Sequence, residues 1–206
     1  MPANANEMSI PMQSYAPVRD GGARSHFSDN KLLQRITFSE PSRTSGGVPL
    51  RNLGLPQFHP EPQVAGALSA PFDKPGVVES AIRVYVQWPG YEEHVFEAIS
   101  LFRRERDFRP ITRQELAVEV AALVKRHIDT LKYADPATSP SAAYARYALE
   151  NLHSAPGERL TEKHLRLTGL RYQTEDVFVP EIVVWHDGEG QPCVFDAFRL
   201  EGSQED

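Results

Sequence analysis

Between residues 112 and 132 apolar side chains recur at helical spacing. Leu116, Val120, Leu123, Val124, His127, Ile128 and Leu131 share one face, while Arg113, Glu119, Lys125, Arg126, Asp129 and Lys132 fall mostly elsewhere. The start is marked twice. Thr112 can accept from the backbone N–H three residues on, and Glu115 can reach back, which is a capping box. Asp135-Pro136 marks the end, because proline cannot continue a helix. Each large apolar side chain buried contributes about 1.5–3 kcal/mol. Ordering each backbone residue costs about 1–2 kcal/mol. The stripe therefore needs an apolar sheet face to persist.

On both sides of this helix the pattern alternates instead. Ile82, Val84 and Val86 alternate with Arg83, Tyr85 and Gln87, which predicts a strand over Ala81–Trp88, ended by Pro89-Gly90. His94 to Phe102 reads as a second strand, and the two can form an antiparallel hairpin. After the helix, Pro140 to His153 reads as a second short helix, stopped by Pro156-Gly157, with a partly ordered loop as the alternative. Leu165, Leu167 and Leu170 mark another strand. Val177 to Trp185 marks the next, with Pro180 suggesting a bulge or an edge position. Asp187 to Pro192 is a turn, and Cys193 to Leu200 returns as a strand. The expectation is an α+β fold: an antiparallel sheet of about five strands, ordered β-β-α-α-β-β-β, packed on one long helix with a second short helix.

Residues 1–77 show no sustained period. Ten of the seventeen prolines and seven of the thirteen glycines lie there, so this stretch reads as a disordered arm. It precedes a single domain at 78–200 and an acidic tail at 201–206. Within the arm, Ser28-Asp29-Asn30 precedes KLLQRITF. Leu32, Leu33, Ile36 and Phe38 could share one face of a short helix there, either a transient turn or a segment that folds on a partner groove.

Charge sharpens the division. The first 77 residues carry a net +1 and the remainder a net −7. An acidic folded part argues against general nucleic-acid binding, which depends on cationic side chains neutralising phosphates. Cys193 is the only cysteine. It allows no intramolecular disulfide and no cysteine-based metal site. The opening residues lack the basic start and apolar core of a signal peptide, and no run reaches transmembrane length. The expectation is an intracellular protein, cytoplasmic or nuclear, without membrane association.

No GxSxG, Walker A, GxGxxG or HExxH pattern occurs. Asp187 to Gly190 reads DGEG but lacks the remaining ligands of a calcium loop. No catalytic residue, metal or cofactor is expected. Two surfaces stand out. Tyr85, Trp88 and Tyr91 surround one turn, where they either bind a cation or partner chain or plug the end of the core. Arg103, Arg104, Arg106, Arg109 and Arg113 crowd eleven residues before the helix. Arg104, Arg109 and Arg113 either hold an anion beside the helix start or form a solvated, mixed-charge surface. His127 is either a structural histidine of the stripe or a catalytic one. The leading reading is a non-enzymatic interaction module with an unknown protein partner and an oligomeric state the sequence does not indicate. The rival is a small enzyme using His94, His127 or the arginine loop in a cleft.

Two resemblances bear on this. The spacing of Tyr85, Trp88, Gly90 and Tyr91 resembles the middle of a chromodomain, which implies an aromatic cage for methyl-lysine with Tyr85 or Trp88 as candidates. The chain departs from that family in its long helix, its later strands and the absent Trp-Glu-Pro. Across Ile82 to Trp185, the WPGYE run at Trp88–Glu92, Pro110-Ile111-Thr112-Arg113 with Leu116, and Val177-Phe178 are similar to a group of uncharacterised hypothetical proteins from mushroom-forming (basidiomycete) fungi. That likeness implies a shared fold and no chemistry. It places WPGYE and PITR in one unit, with the turn near the helix start.

Overall fold

The structure, a computed structural model, describes residues 7–10, 12, 34–43, 46–54, 61–73, 80–103, 108–133, 144, 147–150, 159–174 and 176–185. The helix α1 spans Arg113–Lys132, and Thr112 and Glu115 form the expected capping box. Every member of the sequence stripe is buried, with Ala117 and Ala121 between them.

Among the described residues nine strands accompany it: β1 (Glu7–Ile10), β2 (Arg35–Thr37), β3 (Val48–Pro49), β4 (Ala81–Gln87), β5 (His94–Ser100), β6 (Phe102–Arg103), β7 (Arg109–Pro110), β8 (Leu165–Thr174) and β9 (Val177–Trp185). Seven form one sheet in the order β2-β8-β9-β4-β5, with β1 also on β9 and β3 also on β8; β6 and β7 pair separately. The β4–β5 hairpin pairs continuously from Ala81↔Ser100 to Gln87↔His94. Its turn contains Gly90 at φ 85°, a value glycine adopts at no steric cost. Between these strands every ladder is antiparallel except β4 on β9.

The expectation of a structureless arm to residue 77 is corrected where that stretch is described. It supplies β1, β2 and β3, so the sheet has seven strands rather than about five. The reason is width. Five strands side by side span about 19 Å, and one helix is about 10 Å across. Helix α1 packs on β4 and β5. Leu50, Leu53, Val64 and Phe72 join the same core, and Phe72 meets Phe178 of β9 edge-on at 5.8 Å. These segments are tied to the flank of the helix. Lys125 Nζ donates to Leu53 O at 3.1 Å, and Gln114 Oε1 accepts from the N–H groups of Gln63 and Val64 at 3.0 Å.

Other differences are local. Arg35–Thr37 is a strand, where a helical face including Ile36 and Phe38 was one reading; Leu32 and Leu33 lie outside the described residues. Of the second helix, Ala148–Glu150 is instead extended, and Leu149 bridges Leu160; most of the remainder lies outside the described residues. Pro180 is neither at a bulge nor on an edge strand. The register shifts place extra residues on β8, at Thr168 and Gln173. Pro180 sits where one side of β9 changes partner, between β4 at Val177 and Phe178 and β1 from Ile182 onward. The residue that cannot donate thus falls between two ladders. At Gly169 a Cβ would lie 2.5 Å from Ile36 O, so β2 can approach β8 this closely only over a glycine. The expected turn at Asp187–Pro192, strand at Cys193–Leu200 and tail at 201–206 lie outside the described residues.

Candidate functional site

The aromatic turn is core. Trp88 is fully buried, and Tyr85 and Tyr91 nearly so. Each polar atom is engaged inside the protein. Trp88 Nε1 donates to Tyr147 O at 2.7 Å, Tyr85 OH donates to Gln87 Oε1 at 2.6 Å, and Tyr91 OH accepts from Leu149 N–H at 3.2 Å. Burial pushes the Tyr91 phenol above its usual range. These three rings form no open cage, so they do not support methyl-lysine recognition. Nor does the turn lie near the helix start. Glu93 and His94, just beyond it, act on His127 in the second half of α1, and Arg126 bonds Glu97 at 2.6 Å.

The arginines divide. Arg109 forms a two-pronged pair with Glu115, at 2.8 and 2.6 Å. Together with the Thr112 N–H and hydroxyl, it holds the Glu115 carboxyl down at about 2. Arg103 bonds Glu119 at 2.8 Å. Arg104 and Arg106 lie outside the described residues. The loop is therefore zipped to the acidic side chains of α1 where it is described.

Arg113 goes elsewhere. It lines a cavity of about 240 Å³ with Arg35, Ile36, Thr37, Ser69, Ala70 and Pro71. Strand β2 forms one wall, because it is the last strand of the sheet on that side. The turn at Gly66–Ser69 forms another, with Gly66 at φ 63°. This turn also occupies the helix start: Ser69 O accepts from Arg113 N–H at 2.7 Å, and Ala67 O accepts from Gln114 N–H at 3.1 Å. The backbone donors that would make the helix end an anion site are consumed. The guanidinium replaces them. Arg113 Nη1 donates to Thr37 O at 2.6 Å and Nε donates to Ser69 Oγ at 3.1 Å. Ser69 Oγ in turn donates to Gly66 O at 2.7 Å. Among the described residues no carboxylate pairs with Arg113. Arg35, its side chain 60% exposed, bonds Glu181 at 2.6 Å. Among the described residues no carboxylate or imidazole lines the cavity. Leu68, 89% exposed, stands on the turn beside it.

Of the described candidate binding residues only Arg113 belongs to this cavity. Arg35, Ser69 and Leu68 were missed because they fall in the stretch read as disordered. One signal was present: Arg35, Ile36, Thr37 and Phe38 alternate polar and apolar, which is a strand period. His94 and His127 stay apart from the cavity. His94 lies on the sheet face of Tyr85, 5.5 Å from that ring. His127 is buried in the helix stripe with Nε2 unpartnered, and burial lowers its pKa, opposed by Glu93 and reinforced by His94. Among the described residues no helix is long and apolar enough to cross a membrane.

No protein-family model, curated protein or solved structure matches this chain.

Proposed function

We propose that this protein is a non-enzymatic interaction module that binds an acidic segment of a partner protein at the cavity between β2, the Gly66–Ser69 turn and α1. One observation carries the reading. Arg113 is held in place by two neutral oxygens and by no described carboxylate, at the wall of a cavity that an anionic side chain can enter. A guanidinium fixed in advance loses little freedom on binding. The exposed Leu68 at the rim adds an apolar contact beside the charge.

Amide NMR of the full chain tests this, using a short peptide with one leucine flanked by glutamates and a lysine-flanked control. The expected result is salt-sensitive shifts at Arg35–Thr37, Leu68–Ala70 and Arg113 with the acidic peptide alone. Shifts scattered over other surfaces, or an equal response to the lysine peptide, would reject the proposal.

A further inference from the structure

Resting on that reading, we infer that the anionic group this cavity takes is a phosphoryl group, carried by a phosphorylated serine or threonine of the partner segment. Charge balance is the first argument. Arg35 and Arg171 stand opposite each other on β2 and β8. Both lean on one carboxylate, Glu181, at 2.6 and 3.9 Å. Arg113 approaches from α1 and meets only neutral oxygens among the described residues. Three guanidinium groups therefore share one described carboxylate. Asp73, on the same stretch as the cavity wall, makes an ion pair with none of them. Among the described residues these three charges have one ion-paired carboxylate between them, and two of the three, Arg35 and Arg113, line the cavity. A carboxylate brings one negative charge, whereas a phosphoryl group brings about 1.5–2 at pH 7.

Geometry is the second argument. A planar carboxylate is satisfied by one guanidinium fork, as Glu115 is by Arg109 in this protein. Here the donors come from two elements. Nε of Arg35 is committed to Glu181, and Nη1 and Nε of Arg113 are committed to Thr37 and Ser69. Among the described residues nothing bonds the Nη groups of Arg35 or Nη2 of Arg113. Donors from separate walls suit a tetrahedral group with oxygens on several sides. Size agrees. The 240 Å³ cavity is about eight times the volume of one water in the liquid, room for a phosphoryl head and the carbon that carries it. Leu68 then contacts a residue flanking the modified one.

The test is fluorescence anisotropy of the full chain with three labelled peptides, alike except for one central residue next to a leucine: serine, glutamate or phosphoserine. The phosphoserine peptide is expected to bind about tenfold or more tighter than the glutamate peptide, and the serine peptide weakest. Binding of the phosphoserine form is expected to weaken as pH falls through about 6, where the second phosphoryl proton returns, with the glutamate peptide unaffected there. Arg113→Gln is expected to remove the preference. Arg35→Gln, at a more exposed position away from the helix start, is expected to reduce it, and circular dichroism checks that both variants fold. Glutamate and phosphoserine binding equally would overturn this inference and leave the acidic-segment reading standing. Failure of both acidic peptides would overturn both. An unchanged preference in the two folded arginine variants would overturn the site. Inorganic phosphate binding as tightly as the phosphopeptide would replace the partner segment with a free ion.

Discussion

Trp88 donates its indole N–H to the backbone carbonyl of Tyr147 at 2.7 Å, inside the core. A ring that looks available at a turn is thereby the bolt between the β4–β5 hairpin and the chain that follows α1. Trp88→Ala is expected to destabilise by about 3–5 kcal/mol through the cavity it leaves. Trp88→Phe is expected to cost about 1–3 kcal/mol, because Tyr147 O loses its buried donor. Urea unfolding measures both. An unchanged midpoint for Trp88→Ala would contradict the core role, and any binding defect in that variant has to be read against its stability.

Glu115 links pH to the helix start. Its carboxyl is lowered from 4.5 to about 2, chiefly by the hydrogen bond from Arg109; burial is the next largest effect and opposes it, and hydrogen bonds from Thr112 add to the lowering. The unfolded chain therefore takes up a proton first as acid is added. The stabilisation is complete above pH 4.5 and is lost as the pH falls towards 2. Glu115→Gln is expected to cost about 1–2 kcal/mol at neutral pH, discounting for solvent screening. It is also expected to flatten the acid limb of the stability profile. An acid limb as steep as that of the wild type would show that other carboxylates set it.

His127 acts the same way nearer neutrality. Burial lowers its pKa below 6.5, His94 adds to the shift and Glu93 opposes it. The unfolded state again binds the proton first, so stability is complete above pH 6.5 and declines as the pH falls below it. Its Nε2 is buried without a partner. His127→Leu is expected to raise stability by up to about 1 kcal/mol at pH 7, and by more in mild acid. Urea midpoints above and below pH 6.5 read the difference. A variant that is destabilised at both would mean that His127 makes a bond the helix needs.

Much of the folded part was legible locally. The stripe from Leu116 to Leu131, the Thr112–Glu115 cap, the β4–β5 pairing and the strands around Leu165 and Val179 all express a period or a cap within a few residues. The proposed binding site was not legible in this way. Arg113 could be seen beside the helix start, but its partners Thr37 and Ser69 lie 76 and 44 residues earlier. The burial of Trp88 was equally hidden, because Tyr147 lies 59 residues later.

The amino-acid order by itself determined the periodic elements, since side-chain spacing fixes which face of a helix or strand is apolar. It also determined the helix start, because capping is a contact over three residues. Only the tertiary structure decided that parts of residues 1–77 join the sheet, that the aromatic turn faces inward, and that Arg113 meets β2 rather than the loop before it. Those outcomes depend on area. One helix covers about half of the sheet face, and short, aperiodic segments become worth ordering only against the apolar surface it leaves bare.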